Sequence, residues 1–133
     1  MRVQKRLQHF FTDMRDMLFT PRFLWSALLA FLFCVLNAAL PIVRIMPLSA
    51  ARPFIPLHYN IYLGVDQLGA WNQIFILPIL GFCLFLFNLF IQTIAFRREK
   101  LLAFMIAVAT VLVEFIFLGA MVLIVLLNLS YAS

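Results

Sequence analysis

From Leu101 to the end of this 133-residue chain the only charged side chain is Glu114, set among apolar residues at helical spacing. A carboxylate at mid-membrane depth costs about 2.5–3.5 kcal/mol if it behaves as Asp does on insertion scales. The 18 Leu, Ile, Val and Phe residues from Leu101 to Leu127, at about −0.3 to −0.6 kcal/mol each near a span centre, offset that penalty. The segment therefore tolerates Glu114 without gaining from it. Ala103, Ala107, Thr110, Glu114 and Met121 fall on one helical face whose small residues allow close approach of another helix. Gly81, Asn88 and Gln92 recur at matching intervals in the preceding apolar stretch, as do Ala27, Ala30, Cys34 and Asn37 in the first. This pattern predicts an inward polar seam of Glu114, Thr110, Asn88, Gln92 and Asn37, with Glu114 joined to Asn88, Asn37 or both. Such a seam can relay protons or coordinate an ion. The favoured alternative is a protonated acid gluing helices together, and a third is a contact with a polar or basic residue of another subunit.

The second group of polar residues lies in the run Ile55-Pro56-Leu57-His58-Tyr59-Asn60-Ile61-Tyr62-Leu63-Gly64-Val65-Asp66. One His and one Asp in this run fall short of the three or four ligands a metal wants. The alternative is local: Asn60, Gly64 and Asp66 shape turns, and His58 pairs with Asp66. Alternation of Ile55, Leu57, Tyr59, Ile61 and Leu63 predicts a short extended segment ending in a turn at Gly64. It is apolar enough to fold back on the ends of the spans. No GxSxG, HExxH or Gly-rich phosphate loop occurs, and Glu114 and Asp66 are expected half a bilayer apart, so no enzyme, cofactor or metal is expected.

The succession Pro56, His58, Tyr59, Asn60, Gly64, Asp66 followed by a membrane span resembles a segment of a prokaryotic membrane domain of unknown function. That domain stands at the start of Sdp-type immunity proteins, and the likeness covers about 30 residues around the loop. It implies a small membrane-embedded prokaryotic protein that works by binding, with His58, Asn60 and Asp66 at an outer-face polar site.

Composition gives the segments that carry these residues. At 66% hydrophobic and 11% charged, the chain is far from the soluble balance of about half apolar and a quarter charged. No charge occurs between Arg22 and Arg44 or between Asp66 and Arg97, so three stretches each supply the roughly 20 apolar residues that cross a bilayer. The fold class expected is an all-α membrane protein in one domain covering 1–133. Residues 1–20 form an amphipathic helix at the cytoplasmic interface, with Val3, Leu7, Phe10, Phe11, Met14, Met17 and Leu18 on its apolar side. Span 1 follows at 23–43, ended by Pro41 and Pro47, then an outer loop at 44–71. Span 2 occupies 72–96, bent if anywhere at Pro78, and a turn at 97–100 leads to span 3 at 101–127 and an outer tail at 128–133. The apolar run is too long for a cleaved signal ending near Asn37-Ala38-Ala39, so span 1 is expected to remain as an uncleaved anchor.

Eight of the ten Lys and Arg lie before span 1 or between spans 2 and 3, and only Arg44 and Arg52 lie in the outer loop. The positive-inside rule then puts the amino terminus in the cytoplasm and the carboxyl terminus outside a plasma membrane. It also accounts for the net charge of +5 without nucleic acid. Arg22, Arg97, Arg98 and Lys100 are expected to contact lipid headgroups. Cys34 and Cys83 read as small buried apolar residues. Membrane lipids and another membrane protein or a second copy are the expected partners. The functional expectation is an accessory, immunity-type or assembly subunit, or else an oligomeric channel or proton-coupled transporter using Glu114.

Overall fold

The computed structural model describes residues 2–48, 50 and 53–131, and side chains from Gln4 onward. Arg52, one of the two cations counted for the outer loop, and the last two residues of the expected tail lie outside the described residues, as do the side chains of Arg2 and Val3. Helix α1 spans Arg2–Leu18, α2 Pro21–Arg44, α3 Ile76–Arg98 and α4 Lys100–Ser130; strands β1 (Phe54–Asn60) and β2 (Gly64–Ala70) lie between α2 and α3. Three helical segments, Pro21–Leu48, Trp71–Arg98 and Lys100–Ser130, are long and apolar enough to cross a membrane.

Pro21 opens α2 at the first helical position, where its fixed φ and missing N–H cost nothing. Pro41, expected to end the span, is instead buried inside α2. It removes one hydrogen bond close to the helix end, and the next turn closes through Ile45 N–H to the Pro41 carbonyl at 3.0 Å. Pro78 falls in the first turn of α3, where backbone donors have no intrahelical acceptor, so it requires no bend. Residues 71–75, part of the expected loop end and span start, form a 3-10 turn leading into α3.

Only Glu99 separates α3 from α4, and these helices form an antiparallel hairpin. Helix α4 is the centre of the bundle: it packs along both α2 and α3, which meet each other far less. Its buried residues are Ala103, Ala107, Thr110, Glu114, Met121, Val125 and Asn128. The face expected from the sequence is therefore the inward one, and it extends a further turn because α4 continues to Ser130 through half of the expected tail.

Three apolar clusters stack along the bundle. At the end bearing Glu99, Met17 of α1 is buried with Phe23, Ala95, Ala103 and Ala107; in the middle are Ala30, Cys34 and Phe85. At the opposite end Ile45, Ile55, Ile74, Met121 and Val125 join helices to loop. Helix α1 rests on α3 and α2 through Met17 and through Phe10, whose ring centroid is 5.2 Å from that of Phe90.

The loop between α2 and α3 departs from the all-α expectation. In place of one extended segment, β1 and β2 pair as an antiparallel hairpin. Its register slips once on each strand: Leu57 is extra on β1 between Pro56 and His58, and Asp66 is extra on β2 between Val65 and Gln67. The two bulges break the period-two alternation and re-aim both side chains.

Candidate functional site

Glu114 and Asn37 have no exposed surface. They meet beside Gly81 of α3: a Cβ there would stand 2.9 Å from Glu114 Oε2, 3.1 Å from the Phe117 ring and 3.6 Å from Asn37 Nδ2. The absence of that carbon is what admits the carboxyl group between the helices. Cys34, one turn before Asn37 on α2, is also buried. A thiol is a weak donor, and neither Glu114 oxygen nor either polar side-chain atom of Asn37 meets hydrogen-bond geometry with any described residue.

The expected seam is thus split in two. Asn88 does not reach Glu114; its amide donates to Thr110 Oγ1 at 3.0 Å, and Thr110 donates to the Ile106 carbonyl at 2.7 Å. Gln92 donates to the Ala103 carbonyl at 3.4 Å. These two bonds tie α3 to α4 on the Glu99 side of Glu114. Helix-to-helix hydrogen bonding therefore belongs to Asn88, Thr110 and Gln92, and Glu114 with Asn37 forms a separate unpaired set. Cys83, expected inside, is exposed on the outward face of α3, and Cys34 is buried; both are free thiols.

In the hairpin, His58 Nδ1 and Asp66 Oδ1 lie 2.6 Å apart, the imidazole donating and the carboxylate accepting. The bulge at Asp66 turns it toward its partner. Asn60 Oδ1 accepts the Tyr62 N–H at 2.9 Å, a turn made by the side chain mimicking backbone. Gly64 adopts φ +75°, the left-handed conformation that closes the loop. Ile61, Tyr62 and Leu63 between them are 81%, 92% and 76% exposed.

The root of the hairpin is fixed. Ile55 is buried, and Asn128 of α4 donates to the Pro56 carbonyl at 2.7 Å. Asn128 escaped the sequence reading because the span was ended at Leu127. It lies two heptads beyond Glu114 on the same stripe, a signal that would have found it.

Of the four cations expected at headgroups, Arg97 is engaged by Asp13 of α1 in an ion pair, and Arg98 is exposed. The Lys100 ammonium sits 5.8 Å from the Phe96 ring centroid, and Arg22 is exposed at the start of α2. Among the described residues no group of three His, Cys, Asp or Glu side chains is arranged to hold a metal ion. Comparison of the chain with family models, with curated proteins and with solved structures returns no match.

Proposed function

We propose that this chain is a small multi-pass protein of a prokaryotic plasma membrane that acts by binding, as an accessory, immunity-type or assembly subunit. Its amino terminus faces the cytoplasm, α1 lies in that interface, and the hairpin recognises a membrane partner on the outer side. One observation carries this reading: an apolar loop, Ile61-Tyr62-Leu63, is presented to the surroundings on a hairpin whose root is locked to the bundle. Three large apolar side chains held outward cost solvation unless something covers them, and an anchored hairpin presents them with little further ordering cost. The segment Pro56 to Asp66 that resembles the immunity-type domain is the segment that builds this hairpin.

Replacing Ile61, Tyr62 and Leu63 together with Ser tests the proposal. Proteins that copurify with the original chain in mild detergent are lost from the variant, while its helical content and melting are retained. Equal recovery of the same proteins from both would remove the reading.

A second reading, proton-coupled transport, is favoured by the unpaired carboxyl of Glu114 at 0% exposure. In reconstituted vesicles, pH-dependent flux that vanishes in Glu114→Gln with assembly intact would support it. Flux unchanged by the substitution would exclude it.

A further inference from the structure

At the end remote from the hairpin, the start of α2, the first two turns of α4 and the last turn of α3 border a half-open cavity of about 360 Å³. Two cations stand at it, Arg22 on α2 and Lys100 on α4. Its floor is aromatic: Phe23 packs edge-on against Phe96 at 5.3 Å and against Phe104 at 6.4 Å between ring centroids. Neither cation forms an ion pair among the described residues, whereas nearby Arg97 is held by Asp13. No carboxylate lines the cavity; Glu99, next to Lys100 in sequence, is exposed and outside it. Thr20, also at the rim, already donates its hydroxyl to the Asp16 carbonyl at 3.2 Å. Two positive charges without an ion-pair partner among the described residues, one of them over the Phe96 ring, stand above an apolar floor at the ends of membrane-length helices and define the chemistry of what fits.

We propose that this cavity binds an anionic phospholipid, with the phosphate between Arg22 and Lys100 and the first part of an acyl chain against Phe23, Phe96 and Phe104. Guanidinium and ammonium groups both pair with phosphate oxygens, the guanidinium in a fork and the ammonium as a point charge. A free phosphate would leave the aromatic floor unused, and an uncharged lipid would leave the cations uncompensated. The floor opens onto Leu101 and Phe104, both exposed on the outward side of α4, so a chain entering here continues along the lipid-facing surface. This inference goes beyond the role of the hairpin, since it concerns the other end of the molecule and a different ligand.

The test uses the full chain in discs of phosphatidylcholine with or without phosphatidylglycerol, which present both leaflets and so do not depend on orientation. Lipid retained by the protein is read by native mass spectrometry. Phosphatidylglycerol is expected to be retained over phosphatidylcholine. Arg22→Gln and Lys100→Gln each weaken that retention about fivefold, the worth of one cation near a membrane surface. Arg22→Lys restores most of it, and Arg98→Gln, exposed at the same end but outside the cavity, leaves it unchanged.

Three outcomes overturn the proposal: no preference for phosphatidylglycerol in the unaltered chain, competition by soluble glycerol phosphate as effective as by the lipid, or equal loss in Arg98→Gln. The last would mean diffuse attraction to a basic surface. The first two arms need no variant and stand even if a substituted chain fails to fold.

Discussion

The carboxyl of Glu114 and the amide of Asn37 are buried without hydrogen-bond partners, and an orphaned buried polar group costs about 1–3 kcal/mol. An apolar replacement of similar size removes that cost. Glu114→Leu is therefore expected to melt higher than the original in detergent or discs, by an amount corresponding to about 1–3 kcal/mol. A lower melting point would mean that Glu114 holds helices together through a partner the geometry does not supply. Asn88→Leu has the opposite expectation, since it breaks the bond to Thr110 and leaves that hydroxyl with only its own helix carbonyl. The contrast separates the two halves of the seam: one half joins helices, and the other keeps its acid despite the cost. A residue that opposes folding yet sits where three helices converge is the natural target for the flux measurement.

Among the elements, the hairpin depends on a single backbone conformation at Gly64, φ +75°, where an added Cβ would meet nothing within 4 Å. The cost of a side chain there is purely conformational. Gly64→Ala should weaken the hairpin by about 1 kcal/mol and Gly64→Asn by less, because Asn tolerates the left-handed region. Amide exchange in β1 and β2 reads the difference; equal exchange in Ala, Asn and Gly chains would show that the loop does not need this conformation.

Helix α1 offers a second comparison. Its ion pair, Asp13 to Arg97, is partly exposed and worth about 0.2–1 kcal/mol, whereas truncating a buried Met costs about 2–5 kcal/mol. Met17→Ala should release α1 to protease while Asp13→Asn scarcely does; the reverse order would make the ion pair the principal anchor.

At the scale of the whole molecule, much was legible because the hydrophobic pattern is strong. The stripe Ala103, Ala107, Thr110, Glu114, Met121 became the buried face of α4, and gaps in charge set the three long helices to within a few residues. What was not legible depended on neighbours. The helix runs through Pro41 because the lost hydrogen bond falls near its end. Asn88 meets Thr110 because Gly81, two turns earlier on the same face of α3, is the residue that lies beside Glu114, an axial offset between helices that the face alone does not give. The alternation of β1 showed in the sequence, but β2 was hidden because Gly64–Ala70 carries two glycines and no apolar alternation across its bulge at Asp66.

Topology has its own expected outcome in a background lacking Cys34 and Cys83. An impermeant thiol reagent applied to intact cells should label a cysteine at Asn60 and miss one at Arg98; labelling at Arg98 would invert the proposed orientation.

The one-residue link at Glu99 has a consequence for biogenesis. Two long helices joined so tightly cannot choose their directions separately, so they must leave the translocation machinery as a paired unit. The lone acid of the later helix then enters hydrocarbon already flanked by its companion, and a flexible insert lengthening that link would strand it among acyl tails.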